Sequence, residues 1–232
     1  MHYAVPPAPT YTLAIDAREE RFPVNRIFCV GRNYAAHARE MGRDPDREPP
    51  FFFMKPANAA VAVGAEGVTI PYPSKTANFH HEIELVVAIG KGGVNIPVER
   101  ALDYVYGYAV GLDMTRRDVQ LDARDKGRPW EFGKSFAKSA PIGPIHIAAE
   151  GQAMDAGEIA LTVNGEPRQR SDISKLIWSV AESIAFLSQY EALEPGDIIM
   201  TGTPEGVNAV VPGDVMEGSI AGLTPIVVRV GG

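Results

Sequence analysis

The sequence predicts an α+β domain that is mainly β. Short runs of β-branched and aliphatic residues recur and stop at glycine, as in Arg26–Gly31 and His80–Gly90. Asn164-Gly165 and two Pro-Gly-Asp turns, at 195–197 and 212–214, punctuate the second half. Apolar residues at helical spacing are confined to a few stretches, so helices are the minority element.

Composition bounds the function. The 232 residues are 45% hydrophobic and 22% charged, enough for one sizeable core. Net charge is −7 with no basic run, which excludes a general nucleic-acid binder. The single cysteine, Cys29, rules out a disulfide within the chain, fits a reducing cytoplasm and reads as a small buried hydrophobe. No run approaches the ~18 apolar residues of a membrane span. The first twenty residues carry Pro6, Pro7, Pro9 and several acids, with no basic start and apolar run, so no secretion signal is expected. The organisation expected is an N-terminal arm over 1–21 and one domain over 22–232.

Taken in order, Arg26–Gly31 predicts a buried strand and Arg32–Gly42 a helix, with Asn33 as N-cap and Gly42 as stop. His37 and Glu40 share a face of that helix. A carboxylate beside an imidazole makes it more basic, as a general base requires, although the same spacing makes a surface salt bridge. Arg43–Pro50 is a charged loop. Phe51–Pro56 predicts a core strand whose Lys55 either meets a substrate carboxylate or snorkels to water. Residues 57–79 read as short strands and turns.

Alternation in His80–Gly90 puts His81, Ile83, Leu85, Val87 and Ile89 on a core face, and His80, Glu82, Glu84, Val86 and Ala88 on the other. Glu82 and Glu84 would lie about 7 Å apart. They would repel by roughly 2 kcal/mol at an effective dielectric near 20. A raised pKa, a basic partner or a hard cation relieves that repulsion, and an edge strand with solvated glutamates avoids it.

Pro97–Tyr104 predicts a short helix and Tyr106–Leu112 a strand whose glycines imply close packing. Asp113 falls at its end, on a corner leading to a helix that opens at Thr115–Asp118 in a capping-box pattern and runs to about Lys126. Gly127–Pro144, with Trp130, Lys134 and Lys138, reads as a long ordered loop. A hairpin over 159–171 and an amphipathic helix over 174–190 follow. Thr201–Val207 is glycine-rich but lacks a Walker pattern; its amides and the Thr203 hydroxyl could hold a small carboxylate.

Seven segments in order resemble the fumarylacetoacetate hydrolase family: CVGRNYAAHAREMG (29–42), FFFMKPANA (51–59), NFHHEIELVVAIGK (78–91), GYAVGLDMTRRDVQ (107–120), GRPWEFGKSFAKSAPIGP (127–144), VNGEPRQ (163–169) and GDIIMTGTPEGV (196–207). The PPFFFMKP and GRPWEFGKSF wording most resembles its members that hydrolyse fumarylpyruvate in gentisate breakdown. The resemblance implies mixed sheets rolled around the active site with a few peripheral helices, and a homodimer. It places metal ligands for Mg²⁺ or Mn²⁺ on Glu82, Glu84 and Asp113, a lid dyad on His37 and Glu40, and an active-site lysine on Lys134. Arg32, Gln120 and Thr203 fall where members contact substrate. The expected reaction is hydrolysis of the C–C bond of an acylpyruvate. Oxaloacetate decarboxylation, or decarboxylation and isomerisation of a hydroxymuconate, is the alternative on the same site, and a non-catalytic ligand-binding domain the remote one.

Overall fold

The chain opens with a hairpin, β1 (Thr12–Ala14) and β2 (Arg21–Pro23), followed by β3 (Ile27–Gly31) and the short helix α1 (Ala35–Glu40). This computed structural model describes residues 2–40 and 48–232, the side chains of 38–40 excepted. Strands β4 (Phe51–Lys55), β5 (Ala60–Ala62), β6 (Val68–Pro71) and β7 (Phe79–His80) lead into β8 (Ile83–Ile89). Next come β9 (Val105–Leu112), β10 (Thr115–Arg116), α2 (Arg117–Asp125) and α3 (Glu131–Lys134). Strands β11 (Ala140–Ile142) and β12 (His146–Ile147) precede the hairpin β13 (Glu158–Val163) and β14 (Glu166–Asp172). Helix α4 (Val180–Leu187) and strands β15 (Ile198–Met200), β16 (Ala209–Val210), β17 (Val215–Ile220) and β18 (Ile226–Gly231) complete the fold.

Eight strands form one mixed sheet in the order β4-β3-β15-β8-β9-β11-β5, with β12 also on β9; β3–β15 and β5–β11 are its parallel pairs. A five-stranded sheet, β14-β13-β17-β18-β6, packs against it. The predicted alternation of β8 explains the layering. Ile83, Leu85, Val87 and Ile89 join Ile159, Leu161, Met216 and Ile226 in the core between the two sheets. Val86 and Ala88 join Cys29, Ala109 and Met200 on the opposite face, where Leu13 and Ile15 (at β1) and Phe22 and Val24 (at β2) cover them. Thus β8 is a central strand buried on both faces, not a solvated edge. Glu82 and Glu84 lie at its start.

Several local expectations give way to longer-range partners. Asn33 does not act as the expected cap: its amide donates to Trp178 O and Thr201 O at 2.8 Å and accepts from Trp178 N at 2.7 Å, tying α1 to two distant loops. No capping box forms at 115–118, because Asp118 instead accepts from Thr76 Oγ1 and Ala77 N, at 2.6 and 2.9 Å. The capping box stands at Ser179 and Glu182, so α4 begins six residues later than the periodicity predicts and follows a 3₁₀ turn at Ile173–Lys175. The segment 127–144 is not one loop but holds α3 and β11. Phe51–Lys55 is a half-buried edge strand, not a core strand. The Asn164-Gly165 turn forms as predicted, with φ of 52° and 80°. No helix among the described residues is long and apolar enough to cross a membrane.

Candidate active site

Antiparallel pairing of β8 with β9 brings the three acids together. Ile83 stands opposite Leu112 and Glu84 opposite Gly111, and beyond the ladder Asp113 N donates to Glu82 O at 2.8 Å. Glu82 and Asp113 are therefore cross-strand neighbours, with Glu84 two residues along the same face. Like charges so placed are destabilising unless something compensates them. All three are buried, at 4%, 2% and 1% exposure, and each offers an oxygen within 4.8 Å of the others.

Three buried cations pair with two of these acids, Glu82 and Asp113. Lys134 Nζ donates to Glu82 Oε2 at 2.7 Å, Asp113 Oδ2 at 2.6 Å and Thr115 Oγ1 at 2.8 Å, which uses its three protons. Arg117 donates to Glu82 Oε1 and Gln120 Oε1. Lys55 Nζ lies 2.8 Å from Asp113 Oδ1. Its protons nevertheless go to Met114 O, Lys134 O and Ser139 Oγ, so it meets Asp113 as a charge and not through an aligned hydrogen bond. Lys55 is thus neither snorkelling nor reaching for substrate; it is a buried counter-ion to an acid from another strand.

Position sets the two glutamates apart. Burial alone would raise the Glu82 carboxyl, but the Lys134 and Arg117 charges outweigh it and hold the group below the usual carboxylate range. Glu84 forms no ion pair with a cation among the described residues: burial, then the Asp113 and Glu82 charges, push it well above that range, although the Lys134 charge and a 2.8 Å donation from Gly202 N to its Oε2 oppose them. Burial would lower Lys134, yet Asp113 and Glu82 more than reverse this, so it remains an ammonium.

The acids open into a cavity of about 540 Å³, its mouth included. Arg32 lines it from the β3–α1 connection, His37 from α1, and Gly202 and Thr203 from the loop after β15. Gly202 adopts φ of +97°, and a Cβ there would lie 2.8 Å from Asn33, so only glycine brings its amide to Glu84 without strain. Arg32 lies over the Phe51 ring at 5.2 Å. His37 is buried at 7% exposure, whereas the side chain of Glu40 and the adjoining segment 41–47 lie outside the described residues. Gln120 takes the Arg117 bond on its oxygen, which leaves its amide protons for a ligand. Thr203 accepts from Gln169 Nε2 at 2.8 Å, leaving its own hydroxyl proton to donate.

The structure therefore brings Glu82, Glu84, Asp113, Lys134, Gln120, Thr203, Arg32 and His37 to one cavity. It adds Arg117, which sequence reasoning missed, and behind the cavity sets Lys55 against Asp113, a role other than the two the sequence offered. Arg117 could have been found from its three-residue spacing to Gln120 on a helix; no local pattern pairs Lys55 with Asp113. Gln169 was missed as well: it also accepts from Ile83 N at 3.1 Å and contacts His81 Nδ1 at 2.9 Å, joining the acid strand to the Thr203 loop. An all-oxygen set of clustered carboxylates, with one Asp113 oxygen lacking an aligned donor, suits a hard divalent cation.

The model for the fumarylacetoacetate (FAA) hydrolase C-terminal family matches residues 26–231. The chain is 49% identical over 193 residues to a fumarylpyruvate hydrolase of a Ralstonia species, covering 82% of this chain and 98% of the relative. It is 43% identical over 204 residues to human mitochondrial oxaloacetate tautomerase FAHD1, covering 88% and 90%. A crystal structure of fumarylpyruvate hydrolase from Pseudomonas aeruginosa with Mn²⁺ and pyruvate superposes with a TM-score of 0.97 at 56% identity, covering 99% of each chain.

Proposed function

Because the chain belongs to the fumarylacetoacetate hydrolase family, we propose that it is a metal-dependent hydrolase of acylpyruvates, with fumarylpyruvate as substrate and fumarate and pyruvate as products. The observation that carries this reading is the convergence of three buried carboxylates with Lys134 and His37 in one cavity. The identity to two fumarylpyruvate hydrolases supports the substrate. Glu82, Glu84 and Asp113 would hold Mg²⁺ or Mn²⁺, which supplies Lewis-acid polarisation of the substrate's keto oxygens.

The chain's own residues do the rest. Gln120, Thr203 and Arg32 donate to substrate oxygens and fix its pose. His37 takes a proton from water on its imidazole, and the water oxygen bonds to the acyl carbon. The bond from that carbon to the methylene breaks, and its electron pair leaves as the pyruvate enolate. Lys134 places positive charge beside the enolate oxygen. The proton on His37 returns to the enolate carbon as pyruvate forms. Glu40, three residues on in the sequence, is the partner that the family resemblance implies for the imidazole. The same proposal takes the enzyme as a cytoplasmic homodimer serving gentisate catabolism, resting on the single buried Cys29 and the family relationship.

The 43% identity to an oxaloacetate tautomerase favours a second reading, proton transfer or decarboxylation on oxaloacetate at the same site. One experiment separates them: ultraviolet loss of fumarylpyruvate is compared with oxaloacetate consumption, with Mg²⁺ or with chelator, for the wild type and His37→Ala. The hydrolase reading expects metal-dependent loss of fumarylpyruvate, cut by a factor of about 10² or more in His37→Ala while metal still binds. Near-normal turnover in that variant would remove His37 as the base. Consumption of oxaloacetate alone would favour the second reading.

A further inference from the structure

An acylpyruvate derived from a dicarboxylic acid carries a carboxylate at each end, and the second must be neutralised away from the reacting centre. The buried cations do not do this, since Lys55, Lys134 and Arg117 are each engaged by protein acceptors around the acids. The helix α2 offers another. Arg117, Gln120, Leu121 and Arg124 all line the cavity and recur at the spacing of a single helix face. Exposure rises along that face, from 3% at Arg117 and 5% at Gln120 to a side-chain value of 29% at Arg124, so the helix runs from the acids to the mouth. At 1.5 Å per residue, Arg124 lies about 10 Å along the axis from Arg117. The end carbons of extended fumarylpyruvate, six bonds of ~1.5 Å apart, are separated by about 7.5 Å. The long arginine side chain spans the difference.

We propose that Arg124 forms a carboxylate subsite at the mouth and selects acylpyruvates whose acyl group ends in a carboxylate over those whose acyl group ends in a neutral methyl. This rests on the acylpyruvate reading above. Among the described residues the Arg124 guanidinium pairs only with its neighbour Asp125, through Nε at 2.9 Å and a terminal nitrogen at 2.8 Å to the same oxygen. Asp125 is 64% exposed and the pair is adjacent in sequence, so the contact is exchangeable: the fork can turn its remaining N–H groups to a ligand carboxylate. Trp130, at the start of α3, lines the same mouth and supplies an apolar wall for the unsaturated chain.

The test compares wild type with Arg124→Gln and Arg124→Lys, loaded with Mn²⁺, on fumarylpyruvate and on acetylpyruvate, with fumarate affinity measured by calorimetry. The ratio of kcat/KM for fumarylpyruvate to that for acetylpyruvate should fall about tenfold in Arg124→Gln, with part regained in Arg124→Lys. Fumarate should bind correspondingly more weakly to Arg124→Gln. An unchanged ratio together with unchanged fumarate affinity overturns the subsite. If no protein turns over either substrate while Arg124→Gln still binds fumarate more weakly, the subsite stands and the hydrolase reading falls.

Discussion

Lys55, with 1% exposure, sits between Asp113 and three other acceptors, and its removal would leave a buried carboxylate short of one counter-charge. Breaking a buried pair from one side typically costs more than the pair contributes, because the remaining charge stays desolvated. Lys55→Met should therefore lower unfolding free energy by about 3 kcal/mol in denaturant melts of the metal-free protein. A loss under about 1 kcal/mol would show that Asp113 does not depend on it. At this scale the sequence was legible for groups whose chemistry is local. Cys29 is the inert buried thiol expected, and the two glutamates two residues apart share a face as alternation requires. Lys55 was not legible, because its partner lies 58 positions away and the two meet only through the sheet.

The elements that carry the site are held by unusually close approaches. Glycine at 133 lets α3 press on α2, since a Cβ there would meet the Gln120 backbone and its Cβ at 2.9 Å. Backbone at that distance cannot yield cheaply, so Gly133→Ala should push the two helices apart and move both Lys134 and Gln120. We expect at least tenfold lower kcat on fumarylpyruvate with a folded circular-dichroism spectrum. An unchanged kcat would mean that the α2–α3 packing does not set the position of Lys134. Element types were largely legible from period and turn chemistry: β8, β9 and the β13–β14 hairpin form where alternation and Asn-Gly place them. Boundaries were less so. Asp118 and Asn33 have the chemistry of helix caps but spend it on residues 41 or more positions away, which no local pattern reveals. The short α3 was hidden in a segment rich in glycine and proline, where tertiary contacts override weak propensity.

For the whole molecule, the mainly β class followed from composition and punctuation, and the layering from one strand's alternation. The parallel pairs β3–β15, β5–β11 and β6–β18 did not, because strands so distant in sequence announce their pairing nowhere locally. Strand pairing creates the site: the antiparallel β8–β9 pair sets the three acids side by side, and the parallel β3–β15 pair brings the connections that carry Arg32 and Thr203 to them. The central claim is that these acids hold one hard cation. It is tested most directly by titrating Mn²⁺ into the metal-stripped protein and following the free ion by electron paramagnetic resonance, for wild type and for Glu84→Gln/Asp113→Asn. The account predicts one tight Mn²⁺ per chain in the wild type and affinity weakened at least a hundredfold in the double variant. Equal stoichiometry and affinity in the two proteins would contradict it.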